Sequence, residues 1–208
     1  MPDFLLSGPR DASTTLLLAH GAGAPMDSDW MNAMAEALAG QGIRSARFEF
    51  AYMAARRSGG RKPPPRAEAL LGEYRAAVDA LAGSGRLLIG GKSLGGRVAS
   101  MVADELFSAG RIAGLLCLGY PFHPPGSPEK LRTAHLQDLR CAALICQGTR
   151  DPFGTHDEVM GYRLSPSISI RWLPGDHDLK PRKDDGIKLG DNLAAAAKAV
   201  ADWAGGLG

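Results

Sequence analysis

The chain has 208 residues, with 24 basic against 22 acidic side chains and a formal net charge of +2. That length suits one cored domain over residues 1–208, and the near-zero charge excludes a whole-molecule field steering it to nucleic acid or an anionic membrane. Hydrophobic residues at 45% and charged residues at 22% match ordinary globular usage, so disorder is not the default reading and 27 Gly and 14 Pro must punctuate structure; together they are about a fifth of the chain, against roughly 12% in ordinary proteins.

Residues 14–20 (TTLLLAH) form a continuous apolar run ending at Gly21, the pattern of a strand buried on both faces. Residues 29–38 carry Trp30, Met31, Met34, Ala35 and Leu38 at helical spacing, with Gly40 and Gly42 closing the helix. Residues 43–52 alternate in their second half and predict another strand. Over 67–81, Leu70, Leu71, Tyr74, Val78 and Leu81 fall on one helical stripe. A short strand is expected at 86–90, a helix at 93–107, and three further strands at 112–119, 141–147 and 168–173. Helices are expected over 155–164 and 191–203. Six apolar strands alternating with helices predict an α/β protein with a mostly parallel sheet and helices on both faces. The longest loops fall at 53–66 and 121–136. The interval 121–140 is proline-rich and too short for a lid domain.

Cys117, Cys141 and Cys146 are odd in number, form no CxxC pair and sit in apolar strings, which suggests buried thiols in a reducing compartment. The segment MPDFLLSGPRD lacks a basic n-region and has only three consecutive apolar residues, so it does not read as a signal peptide. No apolar run approaches the roughly 20 residues that span a bilayer. The expectation is a soluble, cytoplasmic protein.

Within IGGKSLGGRV, Gly91-Lys92-Ser93-Leu94-Gly95 matches G-x-S-x-G between an expected strand and an expected helix. The serine sits in a sharp turn that requires residues two before and two after to lack side chains, and Gly91 and Gly95 meet that need. A phosphate loop is excluded: G-x-x-x-x-G-K-[ST] places its first glycine at Arg86, and Leu87, Leu88 and Ile89 form a strand where the loop should run.

The partners follow in the chain order that goes with such an elbow, acid and then base. The strand at 141–147 runs into GTRDPFG, placing Asp151 just past a strand end, and the strand at 168–173 runs into PGDHD, placing His177 in the next equivalent loop. His177 would take the proton of Ser93, and Asp151 would hold the imidazole in the needed tautomer. Asp176 and Asp178 flank the histidine as competing orienters, whereas His123, His135 and His156 have no comparable strand-end placement. The backbone N–H groups of Leu94 and Ala22 are the expected oxyanion hole, the latter in His20-Gly21-Ala22-Gly23-Ala24. His20, before a glycine turn, is read as a brace for that loop.

Arg56, Arg57, Arg61, Lys62 and Arg66 cluster in the 53–66 loop. Arg56, Arg57 and Arg61 are the candidates for docking an anionic substrate group such as carboxylate or phosphate, set against a plain solvated loop. No aromatic residues interleave with the charges, which disfavours nucleic acid. No HExxH, CxxC or clustered His/Asp spacing suggests a metal, and no cofactor is expected.

The segments HGAGAPMDSDWM (20–31), RFEFAYMAARRSGGRKPPPR (47–66), GGKSLGGRVAS (90–100), QGTRDPFG (147–154) and GDHDLKPRK (175–183) resemble the small α/β-hydrolase family of bacterial dienelactone-hydrolase-like proteins. That family includes the hydrolase-like domains of animal testis-expressed protein 30 and of a non-specific-lethal complex subunit. The resemblance implies Ser93, Asp151 and His177 as the triad and the 20–24 loop as oxyanion loop. True dienelactone hydrolases use cysteine where this chain has Ser93, so dienelactone itself is not the expected substrate. The function expected is a lidless, carboxylesterase-like serine hydrolase acting on a small-molecule ester. A non-catalytic binding scaffold on the same fold, and thioesterase or peptidase chemistry at the same site, stay open at the level of sequence.

Overall fold

The computed structural model describes residues 3–60, 63–81 and 85–207. A seven-stranded sheet runs in the order β1-β3-β2-β4-β5-β6-β7, comprising β1 (Leu5–Ser7), β2 (Thr14–Ala19), β3 (Arg44–Phe48), β4 (Arg86–Lys92), β5 (Gly114–Leu118), β6 (Ala143–Gly148) and β7 (Ile168–Leu173). All neighbours are parallel except β1, which pairs antiparallel with β3. All six expected strands are present, and a seventh joins them: β1 is three residues long and lies at the sheet edge, too short to show a period of two.

The apolar strands divide their side chains by alternation. Leu17, Ile89, Leu115 and Ile145 join one core layer, and Leu16, Leu18, Leu88, Leu116 and Leu144 join the other. Helices α3 (Leu71–Ala80) and α4 (Leu94–Ser108) cover the first layer, while α1 (Asp29–Ala39) and α6 (Leu189–Gly205) cover the second. A continuous apolar strand therefore reads as one buried on both faces because each face has its own helix pair.

Two expected elements change at their ends. The strand predicted over 43–52 stops at Phe48, and α2 (Ala51–Arg57) occupies the start of the predicted 53–66 loop. Phe50 cannot continue the ladder because its N–H is donated to Nε2 of His20, and the Glu73 carboxylate accepts from the N–H of Ala51 at the new helix start. The helix expected at 155–164 is the single turn α5 (His156–Val159), opened by a Thr155–Glu158 capping box and closed before Gly161. Between β5 and β6 the only helical element is a 3-10 turn, Ala134–Leu136, so no lid covers the C-terminal ends of the strands among the described residues. No helix among them is long and apolar enough to cross a membrane.

Candidate active site

At the end of β4 the backbone turns abruptly into α4. Ser93 has φ 50° and ψ −114°, a left-handed conformation that a non-glycine residue adopts only under constraint. The Ser93 N–H is donated to the Leu118 carbonyl of β5, which anchors the turn to the sheet. The two flanking glycines are required by close approach rather than by torsion. A Cβ on Gly91 would lie 2.6 Å from the Ala19 carbonyl oxygen, and one on Gly95 would lie 2.5 Å from the Ala19 oxygen and 2.6 Å from that of His20. These neighbours are backbone atoms at the end of β2 and in the residue after it, and cannot step aside. Gly95→Ala is therefore expected to destabilise the fold by about 2 kcal/mol or more, measured by denaturant unfolding.

The expected acid, base and nucleophile meet in one hydrogen-bonded chain. Ser93 Oγ lies 2.8 Å from His177 Nε2, and His177 Nδ1 lies 2.8 Å from Asp151 Oδ2. Asp151 is fully buried, and two more donors hold its carboxylate: the Phe153 N–H at 2.8 Å on Oδ1 and Gln147 Nε2 at 2.8 Å on Oδ2. With an acceptor facing it, Nδ1 carries the imidazole proton, which leaves Nε2 free to accept from the serine hydroxyl. Gln147 also bonds both backbone groups of Tyr120, tying the end of β6 to the end of β5.

The loop that carries His177 is held from several sides. Asn192, buried in the first turn of α6, donates to the carbonyls of Pro174 and Leu179. Asp176 spends one carboxylate oxygen on the N–H groups of Asp178 and Lys180, an Asx-type turn. Asp178 pairs instead with Lys92 at 3.0 Å. Both flanking aspartates are thus engaged away from the ring, and Asp151 is its carboxylate partner. Burial would raise the Asp178 carboxyl, but the Lys92 ammonium holds it below the usual carboxylate range.

Behind the serine, the 20–24 loop is fixed by His20, which is fully buried. Its Nδ1 bonds the Gly21 carbonyl at 2.7 Å, and its Nε2 accepts the Phe50 N–H at 3.1 Å, the bracing geometry expected of it. Burial lowers the His20 pKa, so the folded state binds fewer protons than the unfolded one. Stability from this brace is therefore present above the ordinary histidine range and lost as pH falls through it. The deficit in Tm of His20→Gln relative to the parent should accordingly narrow between pH 7 and pH 5 in thermal melts. Tyr52, whose hydroxyl burial pushes up to about 12, lies 3.2 Å from the Ala22 carbonyl and donates toward that loop.

Of the basic candidates, neither Arg56 nor Arg57 lines the cavity at the serine. Arg57 pairs with Glu49 and Asp27, and Arg56 lies over the Tyr52 ring and donates to the Ala22 carbonyl. From α2, Arg56 thus braces the 20–24 loop, while Arg57 ties Glu49 to Asp27. Arg61 lies outside the described residues.

A cavity of about 580 Å³ opens onto Ser93 and His177. Gly21–Ala24, Trp30, Met31 and Phe153 supply its apolar wall, and Lys92 and Asp178 stand as an ion pair within it. The Phe153 ring lies 4.2 Å from that of His177. Leu94 supplies the first N–H of α4, a helix-start donor with no carbonyl one turn earlier; Ala22 lines the facing wall. A second concavity of about 620 Å³, bordered by Thr15, Arg86 and Leu87, lies at the opposite ends of the strands and touches none of Ser93, Asp151 and His177.

Motif order did not single out Gln147, Lys92, Trp30 or Asn192. For the first two a signal exists: each is one polar residue closing an otherwise apolar strand.

Fold and site together define an α/β hydrolase. The model of the α/β hydrolase domain matches residues 12–205, and the chain belongs to that family. Among solved structures, dienelactone hydrolase from Anabaena variabilis ATCC 29413 superposes with a TM-score of 0.71 at 19% identity, covering 97% of this chain and 96% of that one. The esterase domain of a Rhodothermus marinus protein gives 0.66 at 18% identity, covering 97% and 91%. A putative α/β-superfamily hydrolase from Xanthomonas campestris pv. campestris gives 0.61 at 23% identity, covering 93% and 99%. At these identities the likeness is one of fold.

Proposed function

We propose that this protein is a carboxylesterase-like serine hydrolase in which Ser93, His177 and Asp151 act as the catalytic triad. The observation that carries this is the unbroken chain of two 2.8 Å hydrogen bonds ending at a serine beside an open cavity. His177 Nε2 removes the hydroxyl proton as Ser93 Oγ attacks the acyl carbonyl. The negative charge formed on the carbonyl oxygen is taken up by the N–H groups of Leu94 and Ala22. The imidazolium then protonates the leaving alcohol, and the acyl group stays on Ser93. Water, deprotonated by the same imidazole, attacks the acyl-enzyme, releases the acid and restores the serine.

An open cavity of about 580 Å³ without a lid supports small esters over bulky lipids. Its cation, Lys92, already has a carboxylate partner, and Arg57 is paired elsewhere, so little supports an anionic group as a requirement. A binding scaffold on a spent site has no use for the open cavity or the strained serine. The esterase and dienelactone hydrolase names among the structural likenesses accord with ester chemistry. In the same proposal the segments 20–31, 47–66, 90–100, 147–154 and 175–183 group the chain with testis-expressed protein 30 and the non-specific-lethal subunit. The three buried, unpaired cysteines fit a reducing cytoplasm. A panel of short-chain p-nitrophenyl esters, matched thioesters and amides tests the proposal. Esters should turn over fastest, and turnover of amides alone would contradict it.

A further inference from the structure

Lys92 occupies the last position of β4, next to Ser93, and is only 7% exposed. Its ammonium lies 3.0 Å from the backbone carbonyl of His177 and 3.0 Å from the Asp178 carboxylate, with the Trp30 ring 5.4 Å away. Trp30 in turn donates its indole N–H to the Asp178 carbonyl at 2.8 Å. Residues from β4, α1 and the 174–180 loop thus close around the backbone of the one imidazole that contacts Ser93.

Packing does not explain this choice of side chain. Leu88 and Ile89 earlier in the same strand are apolar and fully buried, and a methionine would fill nearly the same space without the cost of desolvating a charge. Burial indeed pushes the Lys92 ammonium below its ordinary range, against the pull of Asp178. What lysine adds is a donor to the carbonyl of the histidine itself and a positive charge among carboxylates.

The charges around His177 come from every side. Asp151 faces its ring from the end of β6, Asp176 and Asp178 flank it on its own loop, and Asp29 lies on the cavity wall from α1. Lys180 adds a second positive charge acting on Asp178, and Lys92 donates to the histidine's own carbonyl. We propose that Lys92 is a positioning residue for His177, fixing its loop through the carbonyl and cancelling the Asp178 charge that lies beside it. This rests on the hydrolase proposal above. Without Lys92, the Asp178 carboxylate acts uncancelled on the site, and the pH dependence of turnover should shift with that charge.

The test follows kcat/KM against pH for p-nitrophenyl acetate in the parent, Lys92→Met, Asp178→Asn and the double variant, with thermal melts confirming each fold. Lys92→Met should move the acid limb upward by about half a pH unit and lower the plateau kcat about tenfold. Adding Asp178→Asn should return the limb to the parent position while kcat stays low, because the carbonyl contact is still missing. Asp178→Asn alone should move the limb downward. A purely structural lysine would lower stability and leave the limbs in place, and that result overturns the proposal. If Lys92→Met fails to fold, Asp178→Asn decides: a downward limb supports the proposal and an unmoved one overturns it. An inactive parent that also resists a fluorophosphonate would defeat the hydrolase reading itself, whereas an active parent with unresponsive variants defeats this inference alone.

Discussion

Ser93→Ala should lower ester turnover by about 10⁴-fold or more while leaving the fold intact. On the proposed mechanism the loss is large because the attacking oxygen disappears and no cysteine can take its place. The three cysteines are buried within the sheet and its flanks, and burial pushes the Cys146 thiol up to about 12 and that of Cys117 further still. Cys146 and Cys117 are therefore poor nucleophiles at neutral pH. The fold should survive because Ser93 contributes its hydroxyl to the site rather than to the core, and alanine carries the same Cβ into the strained turn. Circular dichroism and kcat measured on the same preparation separate the two effects.

Asp151→Asn should cost nearly as much, about 10⁴-fold in kcat, with almost unchanged shape. Each carboxylate oxygen accepts at least one hydrogen bond: Oδ1 from the Phe153 N–H, and Oδ2 from both Gln147 and His177. An asparagine offers one oxygen and one NH₂, so either rotamer sets a donor against a donor. If the NH₂ faces His177, the imidazole must take the other tautomer, and its Nε2–H then points at Ser93 and cannot accept a proton. If it faces Phe153, that buried N–H loses its partner, at about 1–3 kcal/mol. A proton NMR search for the Nδ1–H signal distinguishes the outcomes: present in the parent, lost when the tautomer has switched.

The fold was legible because apolar runs such as 14–19 and 143–148 end at or just before a glycine and are separated by helical stripes, and each survives as a strand buried on both faces. The grouping of Ser93, Asp151 and His177 was legible because the proposed chemistry demands particular residues at strand ends in a set order, a constraint written along the chain. What stayed hidden depends on contacts between distant segments. Phe50 looks like one more strand residue until His20, thirty positions earlier, takes its N–H. The positive charge of Arg57 looks available until Glu49, just past β3, and Asp27, on the approach to α1, close on it. Leu179 holds a left-handed backbone, φ 59°, that no local pattern announces; its burial beneath α6 and the bond from Asn192 to its carbonyl impose it. Gln147 and Lys92 were visible as polar residues closing apolar strands, but their partners, Asp151 and the His177 carbonyl, appear only when the strand ends are brought side by side.

The most direct measurement is the intact mass of the protein after incubation with a fluorophosphonate, followed by peptide mapping. A single adduct on Ser93, abolished by Ser93→Ala and strongly slowed by His177→Ala, is the predicted result. An unlabelled parent protein, or an adduct on a residue other than Ser93, would contradict a hydrolase built on this serine.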